Sequence, residues 1–216
     1  MKRLTALLSA LYLTVLCFGQ VQKKEITFAD PTIFAEKGKY YLTGTRNREP
    51  LGFGVLESTD LINWRVPDGD TLQLILTKGQ ETFGEKGFWA PQYFMHRGKY
   101  YFTYTANEQT CIASAKRVFG PFTQKEIRPI DGSRKNIDSF LFKDDNGKIY
   151  LYHVRFNKGN HLWVGEFDLK TGSIKEGTLK QILSCTDAWE MTPNYKSDIY
   201  LSYTSLISFR AFLILL

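Results

Sequence analysis

One phrase occurs four times in this chain, and it restricts the fold to a repeat of short strands. It reads Asp30-Pro31-Thr32-Ile33-Phe34, then Gly38-Lys39-Tyr40-Tyr41-Leu42-Thr43. It returns as Trp89-Ala90-Pro91-Gln92-Tyr93-Phe94 with Gly98-Lys99-Tyr100-Tyr101-Phe102-Thr103, and as Asp138-Ser139-Phe140-Leu141-Phe142 with Gly147-Lys148-Ile149-Tyr150-Leu151-Tyr152. A degraded copy runs Pro193-Asn194-Tyr195, then Asp198-Ile199-Tyr200-Leu201-Ser202-Tyr203. The aligned tyrosines 41, 101, 150 and 200 are 60, 49 and 50 residues apart. A period near 50 built from aromatic, β-branched runs of period 2 predicts the blades of an all-β propeller. The blades fall near 28–78, 86–130 and 135–184, with a fourth beginning near 186, so about three and a half are present. Each repeat is expected to hold about four strands, and each Gly-Lys step fits a tight hairpin.

A propeller works at its axis, where the first strand of each blade converges. Asp30 and Asp138 enter the first strands of the first and third repeats. Either one alone also fits a turn or cap. At equivalent blade positions they aim two carboxylates at one funnel, and paired carboxylates in distinct environments are how glycosidases work. Carboxylates on separate blades leave room for a water, which predicts inversion at the anomeric carbon. Trp89 is placed at the axial position of the second repeat, where its ring either stacks on a sugar or packs between blades. Phe53 and Trp189 are weaker sugar-stacking candidates, and Trp64 and Trp163 are expected in the core.

Met1-Lys2-Arg3, the apolar run Leu4 to Phe18 and Gly19 before Gln20 read as a secretory signal over residues 1–19. This predicts export, to the periplasm or outside the cell. The run is too short to span a membrane, which takes about 20 residues. Leu16 before Cys17 is too large for a lipobox. Cleavage lowers the formal charge from +6 to +4, because Lys2 and Arg3 leave and no acid does. The remaining bases are scattered pairs such as Lys23-Lys24, Lys116-Arg117 and Arg134-Lys135, which excludes a basic nucleic-acid groove. Cys111 and Cys185 lie in different repeats and are expected as buried small residues. His96, His153 and His161 show no ligand spacing, so neither metal nor cofactor is expected.

The ordered series Ala29-Asp30-Pro31, Ser58-Thr59-Asp60-Leu61-Ile62-Asn63-Trp64, Phe88-Trp89-Ala90-Pro91-Gln92, Ala113-Ser114-Ala115 with Gly120-Pro121-Phe122, and Ile137-Asp138-Ser139-Phe140-Leu141-Phe142 resembles glycoside hydrolase family 43. That family comprises five-bladed propellers that cleave arabinosides and xylosides of plant polysaccharides. The resemblance implies Asp30 as general base and Asp138 as the carboxylate that orients the acid and raises its pKa. It implies an arabinose- or xylose-containing oligo- or polysaccharide as substrate.

The family's acid stands in Glu-Gly-Pro, and this chain has none. Glu190, within Asp187-Ala188-Trp189-Glu190-Met191-Thr192-Pro193, is the candidate acid. The preferred alternative makes it a glutamate that relatives carry upstream of the acid. Beyond Ser205 the repeat ends in an apolar tail, residues 206–216. The 197 residues after the signal are too few for five blades of about 50. The expectation is a truncated or frame-shifted product with an incomplete catalytic propeller over 20–205; a short propeller completed by a partner chain is the alternative. The leading reading is an exported inverting arabinofuranosidase or xylosidase. Its rival is a catalytically inactive sugar-binding propeller, and a fructan-cleaving propeller fits the Trp89 and Asp138 contexts less well.

Overall fold

A computed structural model describes residues 26–67, 72–157, 159–185, Asp187 and the backbone of Ile199–Tyr200. The expected signal, Trp189, Glu190 and the apolar tail lie outside these residues. Three antiparallel blades run in chain order. The first is β1 (Ala29–Glu36), β2 (Lys39–Thr45) and β4 (Leu56–Ser58), after the short β3 (Gly52–Gly54). β3 pairs instead with β5 (Leu74–Thr77). The second blade is β6 (Trp89–His96), β7 (Lys99–Ala106) and β8 (Gln109–Ala115). The third is β9 (Asn136–Lys143), β10 (Ile149–Phe156) and β11 (Gly159–Asp168), with β12 (Ser173–Ile174) and β13 (Lys180–Leu183) on β11. β14 (Ile199–Tyr200), the one described piece of the fourth phrase, pairs in parallel with Gly159 and Asn160. The inner strands β1, β6 and β9 are neighbours round one axis.

The hairpins form where the sequence places them. Lys37 and Gly38 have φ of 51° and 75°, and Arg97 and Gly98 have 51° and 74°. Two successive positive φ values make the turn whose twist matches the flanking strands. The third copy is longer: the Asp144 amide donates to the Lys148 carbonyl, and the Gly147 amide donates to Asp144. Among the described residues a fourth strand appears only in the third blade, as β13. In the other two it shrinks to single bridges, Glu57 with Arg65 and Ser114 with Thr123. Pro67 and Pro121 stand two residues from those bridges and supply no N–H to continue a ladder.

The core lies between blades, not within them. Phe53, Phe88, Phe102 and Tyr104 are at most 1% exposed and interlock between the first and second blades. Phe53 meets Phe102 at 5.2 Å and Tyr104 at 5.9 Å between ring centres. Phe53 is therefore core, contrary to its reading as a sugar-stacking ring. Trp64 is the opposite correction: it sits half-exposed on a turn, its Nε1 donating to the Leu61 carbonyl. The turn is held by Asp60, which takes the Ile62 and Asn63 amides, so the indole packs locally. Trp163 is half-buried under the Arg155 guanidinium, 5.0 Å from the ring centre. Cys111 and Cys185 are buried free thiols, and burial pushes the Cys111 pKa up to about 12. No helix among the described residues is long and apolar enough to cross a membrane.

Candidate active site

Each inner strand is bulged at one and the same place. The register slips between Ala29 and Thr32 in β1 and between Trp89 and Gln92 in β6. In β9 it slips where Tyr152 faces Phe140 and Val154 faces Ile137. A bulge adds one unpaired residue and re-aims its side chain. The residue so placed has positive φ in all three blades: Asp30 at 47°, Ala90 at 43° and Asp138 at 55°. Alanine reaches this region rarely and aspartate somewhat more readily, and its recurrence at the same bulge of all three blades marks a built feature. The two aspartates are thus structural equivalents. In the second blade the equivalent is Ala90; Trp89, read from sequence as the axial residue, stands one position earlier, opposite Thr105. Its half-buried indole lies over Gly87, where an added Cβ would come within 3.0 Å of the ring.

Two threonines stitch these bulges together. The Thr45 hydroxyl accepts the Ala90 N–H at 2.8 Å, so its single proton is free to be donated, and it goes to Asp30 Oδ2 at 2.9 Å. Thr105 stands at the same register in the second blade and accepts the Asp138 N–H at 3.2 Å. Each blade's second strand therefore holds the bulge residue of the next blade. The series stops at Val154, the third-blade equivalent, which has no hydroxyl. Asp30 is half-exposed with its Oδ2 fixed, whereas Asp138 is buried to 8% exposure. The two carboxylates thus occupy the distinct environments that divided acid–base labour needs.

Behind Asp138 lies a polar cluster that the sequence reading missed. His153, opposite the β9 bulge, is 1% exposed, and neither ring nitrogen makes a hydrogen bond of good geometry. Burial, and then the neighbouring Arg155 charge, lower its pKa to about 4 against the opposing pull of Asp131, so the ring is neutral near pH 7. Arg155 binds Asp131 Oδ2 at 2.6 Å. Burial works to raise the Asp131 pKa, but hydrogen bonds from Ser133 and the Arg155 charge outweigh it and hold the carboxyl below its ordinary value. His161 is tied to Ser184 and to the Asn157 carbonyl, a structural role. The threonines could have been found by aligning Thr45 with Thr105 at the ends of the two aromatic strands. Nothing local marks His153.

The family model described as Glycosyl hydrolases family 43 matches residues 25–200. A β-xylosidase of Xylanibacter ruminicola is 33% identical over 123 residues, 51% of this chain and 38% of that protein. Xylosidase/arabinosidase 43A of Humicola insolens is 28% identical over 163 residues, 64% of this chain and 49% of that protein. The chain thus spans less than half the length of either relative. Among solved structures, an endo-1,4-β-xylanase from Bacteroides thetaiotaomicron VPI-5482 is similar with TM-score 0.70 and 36% identity, over 80% of this chain and 58% of that one. A thermostable family-43 glycoside hydrolase is similar with TM-score 0.66 and 27% identity, over 80% and 57%. The family match runs through all three described blades and both bulged aspartates, and the chain belongs to glycosyl hydrolases family 43.

Proposed function

We propose that this protein is an exported glycoside hydrolase that cleaves xylosyl or arabinosyl linkages of plant polysaccharides with inversion. The observation that carries the reading is the pair of aspartates in equivalent bulges, one half-exposed with its carboxylate bound by Thr45 of its own blade, the other buried with its N–H bound by Thr105 of the preceding blade. Asp30 has one oxygen held by Thr45; its other oxygen takes a proton from water as that water's oxygen bonds to the anomeric carbon. The bond from this carbon to the departing oxygen breaks in the same step, and an acid delivers a proton to that oxygen. Asp138 serves the acid, as the family resemblance implies. Trp89, at the same end of its blade, offers a ring to the sugar face. The names of the relatives, β-xylosidase and xylosidase/arabinosidase, support the sugar class.

A second reading is favoured by the missing Glu-Gly-Pro: a propeller that binds the sugar without cleaving it. Hydrolysis of aryl β-xylosides and α-L-arabinofuranosides decides between them. Under the first reading, Asp30→Asn lowers turnover by about 10²–10⁴-fold, and NMR of the fresh product shows the inverted anomer. Glu190→Gln then slows natural substrates more than activated aryl ones, if Glu190 is the acid. A retained anomer defeats the inverting scheme, since a retaining enzyme uses one of its two carboxylates as the nucleophile. Background rates for the intact chain, together with sugar binding, select the second reading. Amino-terminal sequencing of the secreted protein tests export, and an intact Met1 in the cytoplasm contradicts it.

A further inference from the structure

The gap between the second and third blades opens, at the end of the strands remote from Asp30 and Asp138, into a cavity of about 440 Å³. β7 fixes its position. Thr105 touches Asp138 at one end of that strand, and Tyr101 and Lys99 line the cavity four and six residues earlier. At ~3.4 Å per residue these two residues are roughly 14–20 Å from the bulge. Ile112, opposite Thr103, and Ile130, bonded to Thr110, bring the inner end of the cavity nearer, but neither aspartate, Trp89, Thr45 nor Thr105 lines it. Its volume lies in the range of small-ligand sites.

The lining has two parts. The floor is apolar: Ile112, Ile130 and Leu169 are half-exposed there beside the ring of Tyr101. The mouth is basic, with four cations, Lys99, Lys125, Arg128 and Lys170, facing one acid, Glu126. Arg128 is committed. Its Nε donates to Glu126, one Nη to the Pro129 carbonyl and the other to the Thr171 carbonyl and Ser173, which staples the third-blade turn to the second blade. The three lysines make no ion pair among the described residues, and unlike the other unpaired lysines, Lys86, Lys116, Lys143 and Lys180, they converge on one cavity. The Lys99 ammonium stands 5.3 Å from the centre of the Tyr101 ring.

A simple anion has no use for the apolar floor, and a neutral sugar has none for three unpaired lysines. A sugar ring that carries a carboxylate uses both. We propose that this cavity is a secondary binding site for a uronic acid unit of a polysaccharide, with its carboxylate among Lys99, Lys125 and Lys170 and its ring face against Tyr101 and the apolar floor. The saccharide class rests on the function proposed above; the demand for a carboxylate rests on the lysines alone. Such a site tethers the polymer without cleaving it.

The test is affinity electrophoresis of the full chain through gels that contain glucuronoxylan, the same polymer after carboxyl reduction, or dextran sulfate. The expected result is retardation by glucuronoxylan at least tenfold stronger than by the reduced polymer. Lys99→Gln/Lys125→Gln/Lys170→Gln removes that difference, and Lys125→Gln alone weakens it. All three lysines are on the surface, and circular dichroism checks the fold. Asp30→Asn keeps the difference, which separates this site from the catalytic reading: a chain that cleaves nothing but still discriminates carboxylates refutes only the latter. Equal retardation by native and reduced polymer overturns the proposal. So does discrimination that survives the triple substitution, or dextran sulfate binding as strong as glucuronoxylan, which reduces the site to ion exchange.

Discussion

The two faces of β7 meet their neighbours by opposite means. Toward the first blade it presents Phe102 and Tyr104, which lock against Phe53 and Phe88. Toward the third blade it presents Thr103 and Thr105, at most partly bonded, near a strand that carries Ser139 and a bulge opposite His153. Thr103 Oγ1, Thr110 Oγ1, Ser139 Oγ and both His153 nitrogens are buried without a hydrogen-bond partner among the described residues. The first interface derives its stability from apolar area and shape, which are insensitive to pH. The second has an apolar cluster too, with Phe94 and Ile112 against Leu141 and Leu151, but it also holds His153, whose cost depends on protonation. The two can therefore be perturbed separately.

The largest effect belongs to the aromatic face. Phe53→Ala removes a ring at the centre of that interface, where Phe53 is 0% exposed. The expected loss is about 3–5 kcal/mol of unfolding free energy, measured by urea denaturation at neutral pH, and it should stay the same at pH 5. A cost below about 1 kcal/mol would mean that the first two blades do not rely on this contact.

The polar face gives the next effect, and it follows pH. His153 titrates near 6.5 when unfolded and about 4 when folded, because burial and then Arg155 disfavour the charged ring. A depressed histidine pKa means that its contribution is intact above about 6.5 and is lost as pH falls toward 4. Over the full window this amounts to about 3 kcal/mol. The Asp131 carboxyl, held below its ordinary value, protonates only at lower pH and does not mask this window. His153→Gln should flatten the decline in stability between pH 7 and 4.5. If both proteins lose stability in parallel, the acid sensitivity lies elsewhere.

What could be read from the sequence divides along similar lines. The repeat, the Gly-Lys hairpins and the pairing of Asp30 with Asp138 were legible, because strands and turns of neighbouring residues write their period into the chain. Contacts between blades were not. Thr45 reaches Ala90 across 45 residues, Thr105 reaches Asp138 across 33, and Gln92 reaches both backbone groups of Leu141 across 49. The axial register of the second blade was misplaced by one residue for a related reason. Aligning Pro31 with Pro91 gives Ala90, while the more conspicuous Trp89 drew the assignment. Phe53 proved core and Trp64 a turn residue because burial between blades depends on β3 crossing to β5, which no local pattern announces.

The smallest effect tests whether the axial threonines serve structure alone. Thr45 makes two bonds, to the Ala90 N–H and to the Asp30 carboxylate, whereas Thr105 accepts the longer bond from the Asp138 N–H. Valine is nearly isosteric, and the third blade already carries Val154 at this register, 1% exposed, so the shape is tolerated. Thr45→Val strands the N–H of the buried Ala90 and releases a charged acceptor, at a cost of about 1–3 kcal/mol. Thr105→Val removes only the longer of the bonds, that from the Asp138 N–H, at about 1 kcal/mol. Serine keeps the hydroxyl at either position and should recover most of each loss. Thermal melts of the four variants rank them. If Thr45→Val and Thr105→Val melt together, the Asp30 bond adds nothing to the fold, and the hydroxyl at 45 is kept for the carboxylate it orients.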